Sequence, residues 1–289
     1  MKLTKNDVSQ VQLRQGAKEF FSGYSNNILS KTVDPKNLGN FNLNEMKKIA
    51  TGVISDFSDK NLVLQIYKAG IPLVQIYHPM ENLPIDTIVQ DDILGIQLAY
   101  NHLIAKGHRR ICFLDQSLSL LKIGEDNVNN LKRKLGYQFA AEQSGTYDPE
   151  LIFHVDTKNE FLAPNHGCFS KIAKSGATAI VYPFIIDHQM VLKRLQQEIN
   201  KPNIHKNTGN AIKNNNFGIV SWGERNTNEF PEVTTHIDWD KAQMGKEGVR
   251  RLLERINEPD LPPVIITIPT KLVVGNSSGK GPYYNKNLE

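Results

Sequence analysis

The chain has 289 residues, which is more than a single hydrophobic core usually organises, so its length predicts two lobes or domains. Hydrophobic residues make up 39% of the chain and charged residues 22%, which excludes an intrinsically disordered protein. The formal net charge is only +4, and basic residues cluster only at residues 132–134 and 250–251, so no nucleic-acid-binding stripe is visible.

Two features of the sequence predict a cytoplasmic protein. The first residues, MKLTKNDVSQ, lack the apolar segment of a signal peptide, and no apolar run approaches the roughly 18 residues of a membrane span. The two cysteines, Cys112 and Cys168, lack metal-ligand spacing and are expected to be buried, reduced thiols. We therefore expect no membrane partner, no metal site and no cofactor.

Strands and helices alternate along the first part of the chain. Apolar periodicity and turn residues predict, in order, a helix over 8–22, a strand over 25–33, a turn-rich stretch over 34–48, a strand over 49–55, a helix over 60–69 and a strand over 71–77. The last of these, IPLVQIY, is largely apolar and partly β-branched, which is typical of a parallel strand buried on both faces.

The stretch over residues 89–113, VQDDILGIQLAYNHLIAKGHRRICF, organises the middle of the chain. Its apolar residues follow helical spacing until Gly107, and residues 111–114 then read as a buried strand. Asp91 and Asp92 therefore lie where a strand ends and a helix begins. Ligands bind at such places in α/β folds, because backbone N–H groups and a side-chain carboxylate converge there.

The same alternation continues towards the C-terminus. The predicted elements are a helix over 127–141, a strand over 151–155, a helix over 169–173, a strand over 178–182, a helix over 190–199, a strand over 217–222, a helix over 240–256 and strands over 264–268 and 271–274. Residues 200–215 are rich in Asn and Lys and predict an irregular surface insertion, and the tail from Ser277 is expected to fray. Such alternation predicts parallel sheets with right-handed crossovers.

Several motifs resemble one protein family. The 89–113 stretch matches, without a gap, the pattern V.D...G..LA..HLI..GHRRI.F. Further matches are R..GY at Arg133, TAI at Thr178 and the pair LTT…MG that ends at Gly245. Over roughly residues 40–279 the chain resembles the sensor core of the LacI/GalR family of bacterial transcription regulators.

The resemblance implies a two-lobed α/β fold of the type I periplasmic-binding-protein-like kind, with parallel sheets flanked by helices and a ligand cleft between the lobes. The implied first lobe takes residues 1–102 plus 240–266, and the second takes 103–239 plus 267–289. It also implies a homodimer that reaches operator DNA through a helix-turn-helix headpiece. Residues 1–6 are too few for that headpiece, so we expect it to be absent from this chain.

Asp91 and Arg133 are the first candidates for contact with a small-molecule effector. The Asp91 carboxylate can accept hydrogen bonds from two hydroxyls, and the resembled family contacts its effector at this position. One of the two adjacent carboxylates should instead cap the helix, worth about 1 kcal/mol, and we assign that role to Asp92. Arg133 can fork onto hydroxyls, a carboxylate or a phosphate, although its neighbours Lys132 and Lys134 also permit a merely exposed charge.

Two further candidates lie near the end of the strand over 217–222. Trp222 can stack on a sugar ring, although a buried core tryptophan is nearly as good an interpretation. Glu224 keeps a carboxylate where the family reads GFDD and this chain reads SWGE. Two more departures are Phe184-Ile185 in place of ND and Gly275 in place of the arginine of LVVR. They argue against a common hexose and leave a sugar, a sugar derivative or a nucleoside as the effector.

No catalytic motif accompanies these residues. The sequence contains no GxSxG, no HExxH, no P-loop and no GxGxxG after a strand. His102 and His108 match positions of the sensor core, and we interpret both as structural. The sequence therefore predicts a sensor and not an enzyme. The alternative is a stand-alone small-molecule receptor without a DNA role.

Overall fold

The computed structural model describes residues 8–24, 47–48, 50–56, 59–80, 82–115, 128–155, 167–184, 188–223 and 234–285. In chain order the elements are α1 (Val8–Tyr24), β1 (Val53–Ser55), α2 (Lys60–Lys68), β2 (Leu73–Ile76), β3 (Asp86–Gln90), α3 (Asp92–Ala105), β4 (Ile111–Asp115), α4 (Val128–Gln143), β5 (Ile152–His154), α5 (Cys168–Lys174), β6 (Ala179–Val181), α6 (His188–Glu198), α7 (Lys206–Lys213), β7 (Gly218–Trp222), β8 (His236–Trp239), α8 (Lys241–Asn257), β9 (Ile265–Ile268) and β10 (Thr270–Val273).

The chain divides into two compact units. The first consists of Met1–Asp91 and Trp239–Pro269, and the second of Asp92–Asp238 and Thr270–Glu289. The first boundary thus lies before α3, whereas the sequence placed it after residue 102, because α3 packs against α4 and β10. Each unit has a parallel sheet flanked by helices, which confirms the predicted α/β class.

The central strands of the first unit's sheet, β2 and β3, are buried on both faces. The strand order of this sheet is β1-β2-β3-β9, and all three pairings are parallel. Leu73 on β2 packs with Val63 and Ile66 of α2, whereas the next residue, Val74, packs with Met244 of α8. Successive side chains of a strand point to opposite faces, so helices cover this sheet on both sides. The largely apolar run IPLVQIY in the sequence predicted this burial.

Helices α1 and α8 of the first unit touch at small residues. A Cβ atom added to Gly245 would lie 2.0 Å from the carbonyl oxygen of Leu13, and one added to Gly16 would lie 2.0 Å from that of Ala242. Because these neighbours are backbone atoms, no side-chain rotation can relieve the overlap. The glycine of the MG motif is therefore explained by the close approach of two helices.

Gly245→Ala should lower the free energy of unfolding by about 2 kcal/mol. Overpacking costs about 1–3 kcal/mol or more, and the better helix propensity of alanine returns about 1 kcal/mol. Gly248→Ala on the same helix is the control, since its Cβ would meet first the flexible end of Ile76, at 3.1 Å. Urea denaturation of both variants measures the difference, and equal stabilities would contradict the role of the close approach.

The sheet of the second unit has the strand order β10-β8-β7-β6-β4-β5, with parallel pairings from β8 to β5. Phe113 on β4 stacks on Tyr137 of α4, with ring centroids 5.0 Å apart. Its neighbour Cys112 points to the other face, into a core with Cys168 and residues of α6 and α7. Both cysteines are free and buried, as predicted, and burial raises the pKa of Cys168 to about 12.

The expectation of an irregular insertion over 200–215 is wrong. Helix α7 lies within it, and the ring nitrogen Nδ1 of His205 caps the helix by accepting from the N–H of Asn207 at 3.2 Å. Ala211 and Ile212 are buried in the core of the second unit. Their burial overrides the weak helix propensity of the surrounding Asn and Gly residues. The short strand β8 was also not predicted.

The expectation of a frayed tail is wrong over Ser277–Tyr284. The Ser277 hydroxyl donates to the carbonyl oxygen of Ile219 at 2.7 Å and accepts from the N–H of Thr235 at 2.9 Å. Further along, the N–H of Gly281 donates to Lys106 O at 2.7 Å and the N–H of Tyr283 to Gly107 O. We call this stretch the C-terminal segment; it lies along β7 and the end of α3.

Two other predicted stretches lie wholly or almost wholly outside the residues that the structure describes. The strand over 25–33 lies outside them, as does nearly all of the turn-rich stretch over 34–48. Among the helices that the structure describes, none has the length and hydropathy that crossing a bilayer requires.

Candidate functional site

The motif Gly107 to Arg110 makes hydrogen bonds that connect separate parts of the second unit. His108 is buried, its Nδ1 lies 3.0 Å from the Thr178 hydroxyl, and its Nε2 lies 3.2 Å from the carbonyl oxygen of Ser278. A carbonyl only accepts, so Nε2 carries the proton and Nδ1 accepts from Thr178. Burial lowers the pKa of His108 to about 4, so the ring is neutral at neutral pH. The structural interpretation of His108 is confirmed.

The two arginines of this motif also have structural partners. Arg109 donates to the carbonyl oxygen of Ile104 at 2.9 Å, and Arg110 donates to that of Ser175 at 2.8 Å and pairs with Asp148 at 3.0 Å. These contacts join the end of α3 to the loop before β6 and to the turn before β5. The motif therefore makes structural contacts within the second unit.

A candidate ligand site in the second unit forms around Arg133. Its Nε donates to Asp92 Oδ1 at 2.7 Å, and its Nη1 donates to the carbonyl oxygen of Pro183 at 2.6 Å. The guanidinium carbon lies 4.1 Å from the ring centroid of Trp222, a cation–π distance. The side chain is only 12% exposed. We call Asp92, Arg133, Pro183 and Trp222 the Arg133 cluster.

The topology of the sheet explains where this cluster lies. Pro183 follows β6 and Trp222 ends β7, so both lie at the carboxyl edge of the parallel sheet. The chain places β5 on one side of β4 and β6 on the other, which makes the β4/β6 pair a topological switch point. Ligands of open α/β sheets bind at this edge, next to such points. The fold therefore places Arg133 where a ligand is expected.

The prediction that Asp92 caps helix α3 is wrong. The Asp92 carboxylate instead accepts a hydrogen bond from Arg133. Helix α3 begins at Asp92, so Asp91 takes the preceding position, where caps occur. The Asp92 side chain is fully buried. A buried carboxylate requires a charged or hydrogen-bonding partner, and Arg133 supplies one.

Trp222 is buried in this structure, with 4% of its surface exposed. The guanidinium of Arg133 packs over the indole ring of Trp222. The ring also lies close to α3, since a Cβ atom added to Gly95 would be 2.6 Å from Cζ3 of Trp222. Gly95 of the 89–113 motif is thus explained by the close approach of the Trp222 ring. A direct contact between Trp222 and a ligand stays a prediction.

The other predicted contacts are placed as follows. Asp91 is half-buried at the end of β3 in the first unit, and its N–H donates to the carbonyl oxygen of Ile268 at 3.0 Å. Arg133 belongs to the second unit, so a shared ligand of Asp91 and Arg133 stays a prediction. Glu224 lies outside the described residues, as does Ile185.

A second charged group at the carboxyl edge was missed from the sequence. Lys134 Nζ lies 2.7 Å from Asp115 Oδ2, and His154 Nδ1 lies 3.2 Å from the same oxygen. Asp115 ends β4 and is 1% exposed, and His154 ends β5. An acidic residue directly after an apolar strand is the same signal that selected Asp91, and it would have found Asp115.

The first unit has a distinctive residue at the corresponding edge. Tyr77 follows β2 with a φ of 69°, a left-handed conformation that a bulky residue rarely adopts. Its ring meets those of His78 and Trp239 edge to face, at centroid distances of 6.4 and 6.3 Å. Strained residues of this kind concentrate at ligand sites. Tyr77 is therefore a candidate contact that the sequence did not reveal.

Known proteins resemble this chain in sequence and in fold. No family model matches it. The HTH-type transcriptional repressor PurR of Mannheimia succiniciproducens is 25% identical over 272 residues, which cover 89% of this chain and 73% of that protein. A transcriptional regulator CelR–cellobiose complex has a TM-score of 0.67 and 19% identity, over 93% of this chain and 79% of that one. The regulator CcpA of Lactococcus lactis has a TM-score of 0.66 and 18% identity, over 93% and 94%.

These likenesses extend over nearly the whole chain and agree with the motifs. The two solved structures share the fold over 93% of the chain, and the repressor shares sequence over 89% of it. The chain thus has the fold of these two regulator structures, and its sequence motifs resemble those of the LacI/GalR family.

Proposed function

We propose that the chain is the effector-binding and dimerisation core of a LacI/GalR-type bacterial transcription regulator that senses a small polar metabolite. The placement of Arg133 carries this proposal. Two of its nitrogens are held by Asp92 and Pro183, and among the described residues Nη2 has no hydrogen-bond partner. A largely buried, oriented N–H donor at the carboxyl edge of a sheet is suited to a ligand oxygen.

The proposed ligand contacts are Asp91, Arg133, Trp222 and Glu224, and the proposed ligands are a sugar, a sugar derivative or a nucleoside. A ligand that binds one conformation of the core better than another shifts the population towards it. In a regulator, that shift passes to operator DNA through a headpiece, within a cytoplasmic homodimer. The relatives are repressors and regulators, which supports this role over an enzymatic one.

Arg133→Ala should weaken binding of the natural ligand by roughly ten- to more than a hundredfold. Hydrogen bonds to charged groups contribute about 1.5–3 kcal/mol, and a ligand oxygen would lose its partner in a desolvated site. Ligands are first found by a thermal-shift screen of ribose, cellobiose, glucose, their phosphates and adenosine. Titration calorimetry then compares the variant with Lys132→Ala, which removes the same charge from the neighbouring position. Unchanged affinity in Arg133→Ala would show that this site does not bind the ligand.

A stand-alone small-molecule receptor is the alternative, since the described residues contain no DNA-binding element that we recognise. The nucleotide sequence upstream of Met1 discriminates between the two. An in-frame helix-turn-helix supports the regulator, and its absence supports the receptor. The ligand experiment applies to either function.

A further inference from the structure

We infer that Asp92 makes the Arg133 cluster selective for uncharged ligands, because its carboxylate already occupies the position that an anionic group would take. The inference rests on the proposed function, since it concerns the ligand of the same site. Asp92, which the sequence analysis assigned to a helix cap, would then determine which ligand charge the site accepts.

Without Asp92, the local geometry would favour an anion. Helix α3 begins at this residue and is 14 residues long, so the macrodipole presents a partial positive charge at this end. Arg133 adds a full positive charge from α4. A helix start beside an arginine is a typical binding arrangement for phosphate or carboxylate.

The protein supplies this anion itself. Asp92 is fully buried and lies 2.7 Å from the Nε atom of Arg133, so the carboxylate is fixed in place. The next cation on α4, Lys134, is neutralised in the same way by buried Asp115, also at 2.7 Å. The positive charge of each of these two side chains is therefore balanced by an internal carboxylate.

A ligand at the Nη2 side of Arg133 consequently meets a neutral pair. A hydroxyl or carbonyl oxygen can accept from Nη2 without meeting a net charge. A phosphate or carboxylate would in addition be repelled by Asp92, and charges act strongly on each other where water is excluded. We expect the site to favour an uncharged compound over its phosphorylated form by at least tenfold.

Inorganic phosphate, added to the full chain, is the probe for this inference. Of the two tryptophans, Trp239 is replaced by Phe, which leaves Trp222 as the reporter next to Arg133. Asp92→Asn keeps the shape of the side chain and removes its charge. Phosphate should then change the Trp222 emission saturably, at least tenfold more tightly than in the protein with Asp92. Chloride at equal ionic strength controls for screening.

Two further variants identify the site of phosphate binding. Adding Arg133→Ala to Asp92→Asn should abolish the phosphate response, whereas adding Lys132→Ala should leave it. If Asp92→Asn does not fold, as judged by circular dichroism, Asp92→Ser serves in its place, since serine also suits a helix start.

The inference is overturned if phosphate binds the Asp92 protein as tightly as the variant, or if it binds neither of them saturably. Either result can occur while an uncharged ligand still depends on Arg133, and the proposed function then stands alone. Conversely, phosphate binding by Asp92→Asn without any uncharged ligand for the natural protein supports the inference and counts against the proposed function.

Discussion

Asp86→Ala should lower the free energy of unfolding of the first unit by about 3–5 kcal/mol. Asp86 opens β3 with a fully buried side chain, and its carboxylate receives two arginines of α8. Arg251 Nε lies 2.9 Å from Oδ1, and Arg255 Nη2 lies 2.9 Å from Oδ2. The N–H of Val264 also donates to Oδ1, at 2.9 Å. Alanine would leave Arg255 without the counterion that the structure describes, Arg251 with Glu254 alone, at 3.1 Å, and one N–H without an acceptor.

The effect should extend beyond the ion pairs. Arg251 donates to the carbonyl oxygen of Pro262 at 2.7 Å, and Arg255 donates to that of Pro259 at 2.9 Å. Both arginines therefore hold the loop that leads from α8 into β9, and Asp86 holds both arginines. Losing Asp86 should loosen this loop together with the helix.

The control is Asp240→Ala in the same unit. Asp240 caps α8. Its side chain accepts one hydrogen bond in the described structure, from the N–H of Gln243 at 2.7 Å. Losing such a cap costs about 1 kcal/mol. Urea denaturation followed by the emission of Trp239, with Trp222 replaced by Phe, reports on the first unit. Equal losses for the two variants would contradict the role given to Asp86.

Acid should destabilise the second unit through His108. Its pKa is about 4 in the folded protein and 6.5 ordinarily, so the unfolded chain takes up the proton more readily. The resulting stability is fully present above pH 6.5 and is lost as the pH falls from 6.5 to 4. At about 1.4 kcal/mol for each pH unit, the loss approaches about 3 kcal/mol. The cause is burial of a neutral ring between Thr178 and Ser278.

His108→Gln separates this effect from other titrations. Glutamine does not titrate, and its amide can still donate to the carbonyl oxygen of Ser278. His102, whose pKa is also lowered by burial, remains in both proteins and contributes equally. The variant should be less stable than the natural protein at pH 7 but lose less stability between pH 7 and pH 4.5, measured by urea denaturation. An equal loss in both proteins would exclude His108 as the source.

The sequence predicted the elements whose signals are local. The helices that became α3, α4 and α8 have clear apolar periodicity, and β2 lies in a largely apolar run, so each was located to within a few residues. Helix α7 was missed because Asn and Gly lower its propensity, and only its contacts in the core stabilise it. The order of the C-terminal segment was missed because it depends on Lys106 and Gly107, which are far away in sequence.

The candidate site shows the same division. Arg133 was identified because it matches the R..GY motif of the resembled family, although its neighbours Lys132 and Lys134 also permitted an exposed charge. Its partner was not identified, because Asp91 and Asp92 are adjacent and helix starts are predicted only to within one or two residues. That single-residue difference places one carboxylate in the first unit and the other against Arg133.

The order in which the chain is synthesised leaves the first unit incomplete while most of the second unit is made. Asp86 leaves the ribosome before the second unit begins, whereas Arg251 and Arg255 follow only after most of that unit has been made. At about 5–20 residues per second, roughly ten to thirty seconds separate the two events. During this time β3 lacks its neighbour β9, and the Asp86 carboxylate lacks both arginines. An unpaired apolar strand edge promotes aggregation, so slower synthesis should lower the yield of folded protein.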